Sequence, residues 1–222
     1  MSDEPSGWSR HSGLVLAMCV VAVIASLVAW PTSNCRRMSS PDRSIQIVLT
    51  MAFKAEGESR ARDLDGNGVQ DYWTRDWAGF YPMKDASGQS LILIERCTAA
   101  MDFMGAASYK DVGGTAAMYG YWVGAMSADE QGRPLQIDAD GDGKAWTHPS
   151  AFAFCAWPEH YGANYHCGCK QHGEHVEVVR FHYIVNEKGV MYRKDLGHNA
   201  PVLRWPATDP TSAGWEVVDE LR

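Results

Sequence analysis

The chain has 222 residues, with 20 Lys and Arg against 27 Asp and Glu, a formal net charge of −7, 45 % hydrophobic and 21 % charged residues. Those fractions exclude a wholly disordered chain, and the length leaves room for one domain with a real core plus an appendage. An acidic balance with no basic stripe excludes nucleic acid as the expected partner, because phosphates need cations to neutralise them.

Leu14 to Trp30 is an uncharged run of 17 residues with Ser26 as its only hydroxyl. At about 1.5 Å per residue it nearly crosses a hydrocarbon layer about 30 Å thick, and Ser12, Gly13 and Pro31 extend it. A cleaved leader has a shorter apolar core of about 7–15 residues. Leu27 also stands where a small residue would have to precede a cleavage after Ala29. A retained single-pass transmembrane anchor at 14–30 is therefore expected, behind a short tail at 1–13. Arg36, Arg37 and Arg43 outnumber Arg10 across the span and favour a cytoplasmic C-terminal side. The acidic head and its calcium-type loops favour a calcium-replete exterior, and the extracytoplasmic side is the expectation. Cys19 falls in the apolar run and Cys35 beside it, which leaves Cys97, Cys155, Cys167 and Cys169 with three possible full pairings.

Residues 31–40 read as a polar linker. Ser40-Pro41-Asp42 then offers a capping hydroxyl, a proline for the first turn and a carboxylate for the positive end of a helix. Ile45, Val48, Leu49, Ala52 and Phe53 repeat at helical spacing, which predicts an amphipathic helix up to about Arg62. Leu91 to Phe103 is a second apolar block, read as a helix with Glu95, Arg96 and Asp102 off its apolar side. From Tyr119 the texture turns to strand: Tyr119–Val123 and Ala151–Trp157 are aromatic runs bounded by glycine or proline. Val176–Val185, a turn at Asn186–Gly189 and Val190–Lys194 read as a hairpin. The expected fold is α+β: a single α+β domain at 41–222 in which helices precede an antiparallel sheet.

Three loops carry candidate chemistry. Asp63, Asp65 and Asn67 supply oxygens at the first, third and fifth positions of a calcium-type loop, Gly68 the sharp turn, Val69 a carbonyl and Asp71 the ninth position. A hard cation needs several oxygens converging from one short stretch. Thr74 fills the twelfth position, where a complete EF-hand has a bidentate glutamate, so one ligand must come from elsewhere. The alternative is a turn that binds nothing. Asp138, Asp140 and Asp142 repeat the opening positions before the carboxylates run out, and an acidic surface turn outranks a weak calcium site there. Cys167, Cys169, His172 and His175 form a ligand set suited to tetrahedral zinc, beside His160 and His166. Their spacing fits no standard finger, and outside the cell a disulfide to Cys155 or Cys97 is the stronger reading. The chain lacks Gly-x-Ser-x-Gly, His-Glu-x-x-His and dinucleotide fingerprints, and its tryptophans read as core and corner residues.

Several strings together resemble an uncharacterised bacterial envelope family catalogued as a domain of unknown function. They are the Asp63–Thr74 stretch, Gly120–Val123, Ala151–Gly162, Phe181–Gly197, Trp205-Pro206 and Gly214-Trp215. The likeness runs from about Ile45 to Val218 and departs at the His/Cys-rich insertion between Tyr161 and Val176. It implies an envelope location and brings no catalytic residues. An anchor followed by an amphipathic helix and a β-rich head is also similar to pilins and pseudopilins. Gly13 resembles their processing site, but Met18 stands where they carry glutamate, and the polar linker interrupts their continuous helix. The expected function is thus a membrane-anchored, non-catalytic envelope domain, calcium-stabilised, that scaffolds or binds a partner. A pseudopilin-like assembly subunit is the first alternative. A zinc-dependent enzyme using the insertion at 160–175 is the second.

Overall fold

The computed structural model describes residues 40–64, 68–85, 87–137, 147–166 and 176–221. Helix α1 (Pro41–Arg62) starts as its sequence dictates: Ser40 Oγ accepts the Arg43 N–H at 3.2 Å, and Pro41 occupies the first turn. One face of α1 buries Ile45, Val48, Leu49 and Ala52. The helix ends where Asp63 turns left-handed, at φ 48° and ψ 59°. The apolar run at 14–30 lies outside the described residues, and among those described no helix is long and apolar enough to cross a membrane.

The principal sheet has five antiparallel strands: β2 (Tyr121–Ala125), β4 (Ala153–Pro158), β7 (Phe181–Asn186), β8 (Val190–Asp195) and β9 (Glu216–Glu220), in the spatial order β2-β4-β7-β8-β9. Two short pairs accompany it, β1 (Tyr72–Trp73) with β3 (Thr147–His148) and β5 (Ala163–His166) with β6 (Val176–Val179). Alternation along β4 explains why the sheet is buried on both faces. Phe154 and Ala156 join Val123, Tyr183 and Val185 beneath α1, whereas Ala153, Cys155 and Trp157 face a second cluster with Ile184, Met126, Trp205 and Trp215. The tryptophans at 77, 157, 205 and 215 are accordingly buried.

Two expectations are corrected. The Leu91–Phe103 block is not one helix: only α2 (Arg96–Ala99) is helical, and Ile92 sits at φ 47°. Asp102 does not lie off an apolar face but is fully buried, because its carboxylate caps backbone donors of two loops. The segment around it covers the outer edge of β2, where Val123 donates its N–H to the Met101 carbonyl and accepts from Phe103. The predicted hairpin is divided as well. Val176–Val179 pairs with β5, and only β7 and β8 form the hairpin across Asn186–Gly189, closed by the Gly189 N–H on the Asn186 carbonyl.

Candidate functional site

The first acidic loop follows directly from the end of α1. Asp63 Oδ2 accepts the Gly68 N–H at 2.9 Å, which ties the first loop position to the sixth. Gly68 has φ 80°, a conformation that disfavours a side chain. Asp63 Oδ1 is buried and has no hydrogen-bond partner among the described residues. The Val69 carbonyl accepts the Asp71 N–H at 3.1 Å, and the Asp71 side chain is buried. Arg60 fastens the return of the loop to α1, donating to the Gln70 carbonyl at 3.1 Å and the Tyr72 hydroxyl at 2.8 Å. Asp65 and Asn67 lie outside the described residues. Among those described, no group of three or more His, Cys, Asp or Glu side chains is placed to hold a metal ion. The described part of the loop therefore supplies a turn with one free buried carboxylate oxygen.

Beside it, Glu56 of α1 is fully buried; Oε2 accepts the Trp73 N–H at 3.0 Å and Oε1 has no hydrogen-bond partner among the described residues. Burial, chiefly, and the neighbouring Asp71 charge push its carboxyl well above the usual range. A folded-state pKa raised in this way contributes stability at low pH that is lost as pH rises through it. Glu56→Gln keeps an acceptor for Trp73 and removes the buried charge. It is expected to raise stability at pH 7 by roughly 1–3 kcal/mol, with little effect at pH 4, in urea unfolding of the full chain in detergent. Equal stability of the two chains at both pH values would refute this.

Asp138, Asp140 and Asp142 lie outside the described residues; the stretch is gripped at its base, where Ile137 and Thr147 exchange both backbone hydrogen bonds. Cys167, Cys169, His172 and His175 also lie outside them, beyond the His166–Val176 pair that ends β5 and β6. The histidine at 160 is exposed. The two described cysteines are free thiols. Cys155 is buried against the second core cluster, and its thiol is pushed up to about 12 mainly by burial, while Cys97 is exposed on α2.

The sequence reading missed a polar knot that joins two loops. Asp102 accepts four backbone N–H groups: Trp77 and Ala78 on Oδ2 at 2.7 and 2.9 Å, Gly105 and Met104 on Oδ1 at 2.7 and 3.0 Å. Next to it, Asp76 accepts the Gly79 N–H at 2.7 Å and the Tyr109 hydroxyl at 3.0 Å. Both follow an Asp-x-x-Gly spacing, and that was the available signal. A Cβ at Gly105 would come within 2.5 Å of Asp102 and of Asp76, and one at Gly79 within 2.8 Å of Asp76. Burial raises both carboxyls, with Asp76 reaching about 6 because the Asp102 charge adds to burial. Every carboxylate oxygen here is engaged by the protein itself, so the knot acts as a structural fastening.

The fold and this site define a class: an α+β domain in which one capped helix lies on a five-stranded antiparallel sheet, with an acidic turn at the helix end. No family model, curated protein or solved structure matches the chain.

Proposed function

We propose that the chain is a membrane-tethered, non-catalytic head on the extracytoplasmic side, stabilised by calcium in the Asp63–Asp71 loop, with a scaffolding or partner-binding role. One observation carries the calcium reading. Asp63 spends one oxygen closing the turn on Gly68 and leaves the other buried with no donor among the described residues, which is costly unless a cation answers it. Asp65, Asn67, the Val69 carbonyl and Asp71 are the remaining oxygen donors of the proposal. The non-catalytic reading is supported by the use of the buried Asp76 and Asp102 carboxylates to hold backbone. Ser40, with ψ 151°, starts α1 afresh rather than continuing a helix from the preceding segment, which weighs against the pseudopilin-like alternative.

The test is a melting curve of the full chain in detergent, in millimolar calcium and in chelator. Bound calcium is expected to add roughly 2.7 kcal/mol at a hundredfold excess over Kd. Asp63→Ala should remove most of that difference, and magnesium should substitute poorly because it resists a large, flexible oxygen cage. A wild-type curve indifferent to calcium reduces the loop to a turn.

A further inference from the structure

A cleft of about 380 Å³ opens between the turn that precedes β2 and the β5–β6 pair. Tyr119, Glu159, His160, Asn164 and Tyr165 border it, with Val179 as an apolar wall. That volume lies within the range of about 300–1,000 Å³ typical of small-molecule sites.

The turn on its rim is built against local preference. Met118 and Tyr121 exchange both backbone hydrogen bonds, at 3.1 and 2.9 Å, which leaves Tyr119 and Gly120 as the turn residues. Their φ angles are 56° and 78°. A turn with positive φ at both positions favours asparagine followed by glycine. Gly120 meets that demand, and a Cβ there would come within 3.0 Å of Val179. Tyr119 does not, because a bulky aromatic residue is strained in the left-handed region. Strain of this kind gathers at ligand sites, where the side chain is needed more than the backbone is relaxed.

The polar groups around the cleft are unspent. The side chains of Tyr119, Glu159, His160 and Asn164 have no hydrogen-bond partner among the described residues. Asp76, Asp102 and Asp129, by contrast, spend their oxygens on backbone N–H groups. Among the described residues no lysine or arginine borders the cleft, so an anionic ligand would find no counter-charge. One carboxylate, one imidazole, one amide and two phenols suit a neutral ligand that both donates and accepts many hydrogen bonds. The aromatic rings suit one that also presents an apolar face. A sugar ring meets both demands, with hydroxyls around its edge and C–H groups on its faces.

We infer that this cleft binds a neutral saccharide, with Tyr119 and Tyr165 against the sugar ring and Glu159, His160 and Asn164 on its hydroxyls. The inference goes beyond the tether and calcium reading and stands without either.

The experiment is calorimetric titration of the full chain with cellotriose, maltotriose and triacetylchitotriose. A polyoxyethylene detergent keeps sugar headgroups out of the sample. At least one trisaccharide should bind at millimolar concentration, equally in calcium and in chelator. His160→Ala and Asn164→Ala should each weaken binding about tenfold while the urea midpoint stays put. Tyr119→Asn should weaken binding as much and yet raise the midpoint, because asparagine tolerates the positive φ. A role confined to the fold would move the midpoint the other way. The inference is overturned if none of the three sugars binds, if binding survives Tyr119→Asn and His160→Ala, or if Tyr119→Asn lowers the midpoint.

Discussion

Asp102→Ala is expected to destabilise the domain by at least about 4 kcal/mol, a large share of the roughly 5–15 kcal/mol that keeps a domain folded. The side chain is fully buried and accepts four backbone N–H groups, two on each oxygen. Each buried donor stripped of its acceptor costs about 1–3 kcal/mol, and water cannot replace the carboxylate without opening the packing around Trp77. Trp77 is itself fully buried and donates its indole N–H to the Thr98 carbonyl, so the loops on both sides of the knot would loosen together. Asp102→Asn is the informative companion. Its amide nitrogen would confront two N–H donors, which should cost about half as much. Urea unfolding followed by tryptophan fluorescence measures both; a change below about 1 kcal/mol for the alanine variant would contradict the structural role.

The second large effect is a dependence on pH through Asp76. Its carboxyl rises from the ordinary 3.8 to about 6, first because it is buried and then because Asp102 lies beside it. The folded chain therefore holds a proton that the unfolded chain has released between those values. The associated stability is present below about pH 4 and is lost as pH rises to about 6, amounting to roughly 3 kcal/mol from this group. Asp76→Asn should flatten that part of the curve, since an amide oxygen still accepts the Gly79 N–H and the Tyr109 hydroxyl can turn to the other side. The Arg75 guanidinium, 3.4 Å away and 40 % exposed, contributes little to either state. Urea midpoints at pH 4, 5, 6 and 7 for the two chains settle the matter. A wild-type midpoint that climbs across this interval just as in the asparagine chain would show that Asp76 does not hold the proton.

Local chemistry in the chain was sufficient wherever an element is decided by its own neighbours. The Ser40-Pro41 start and the apolar stripe of α1, the aromatic run of β4 and the turn at Asn186–Gly189 could all be read directly, because capping, periodicity and turn preference act within a few residues. The sharp turn at Gly68 was legible for the same reason, whereas its closure by the Asp63 carboxylate was not. The tertiary structure decided what depends on partners distant in sequence. The 91–103 block has enough apolar residues for a helix, yet its backbone pairs with the edge of β2 and its Asp102 carboxylate turns inward to accept the Trp77 and Ala78 N–H groups, so only Arg96–Ala99 remains helical. Val176–Val179 looks continuous with the strand after it, but pairing with β5 separates the two at Arg180. Glu56, Asp76 and Asp102 resemble ordinary surface carboxylates in sequence; their burial is visible only once α1, the 73–80 loop and the 98–109 loop pack together, because desolvation is a property of the assembled core and not of any one segment.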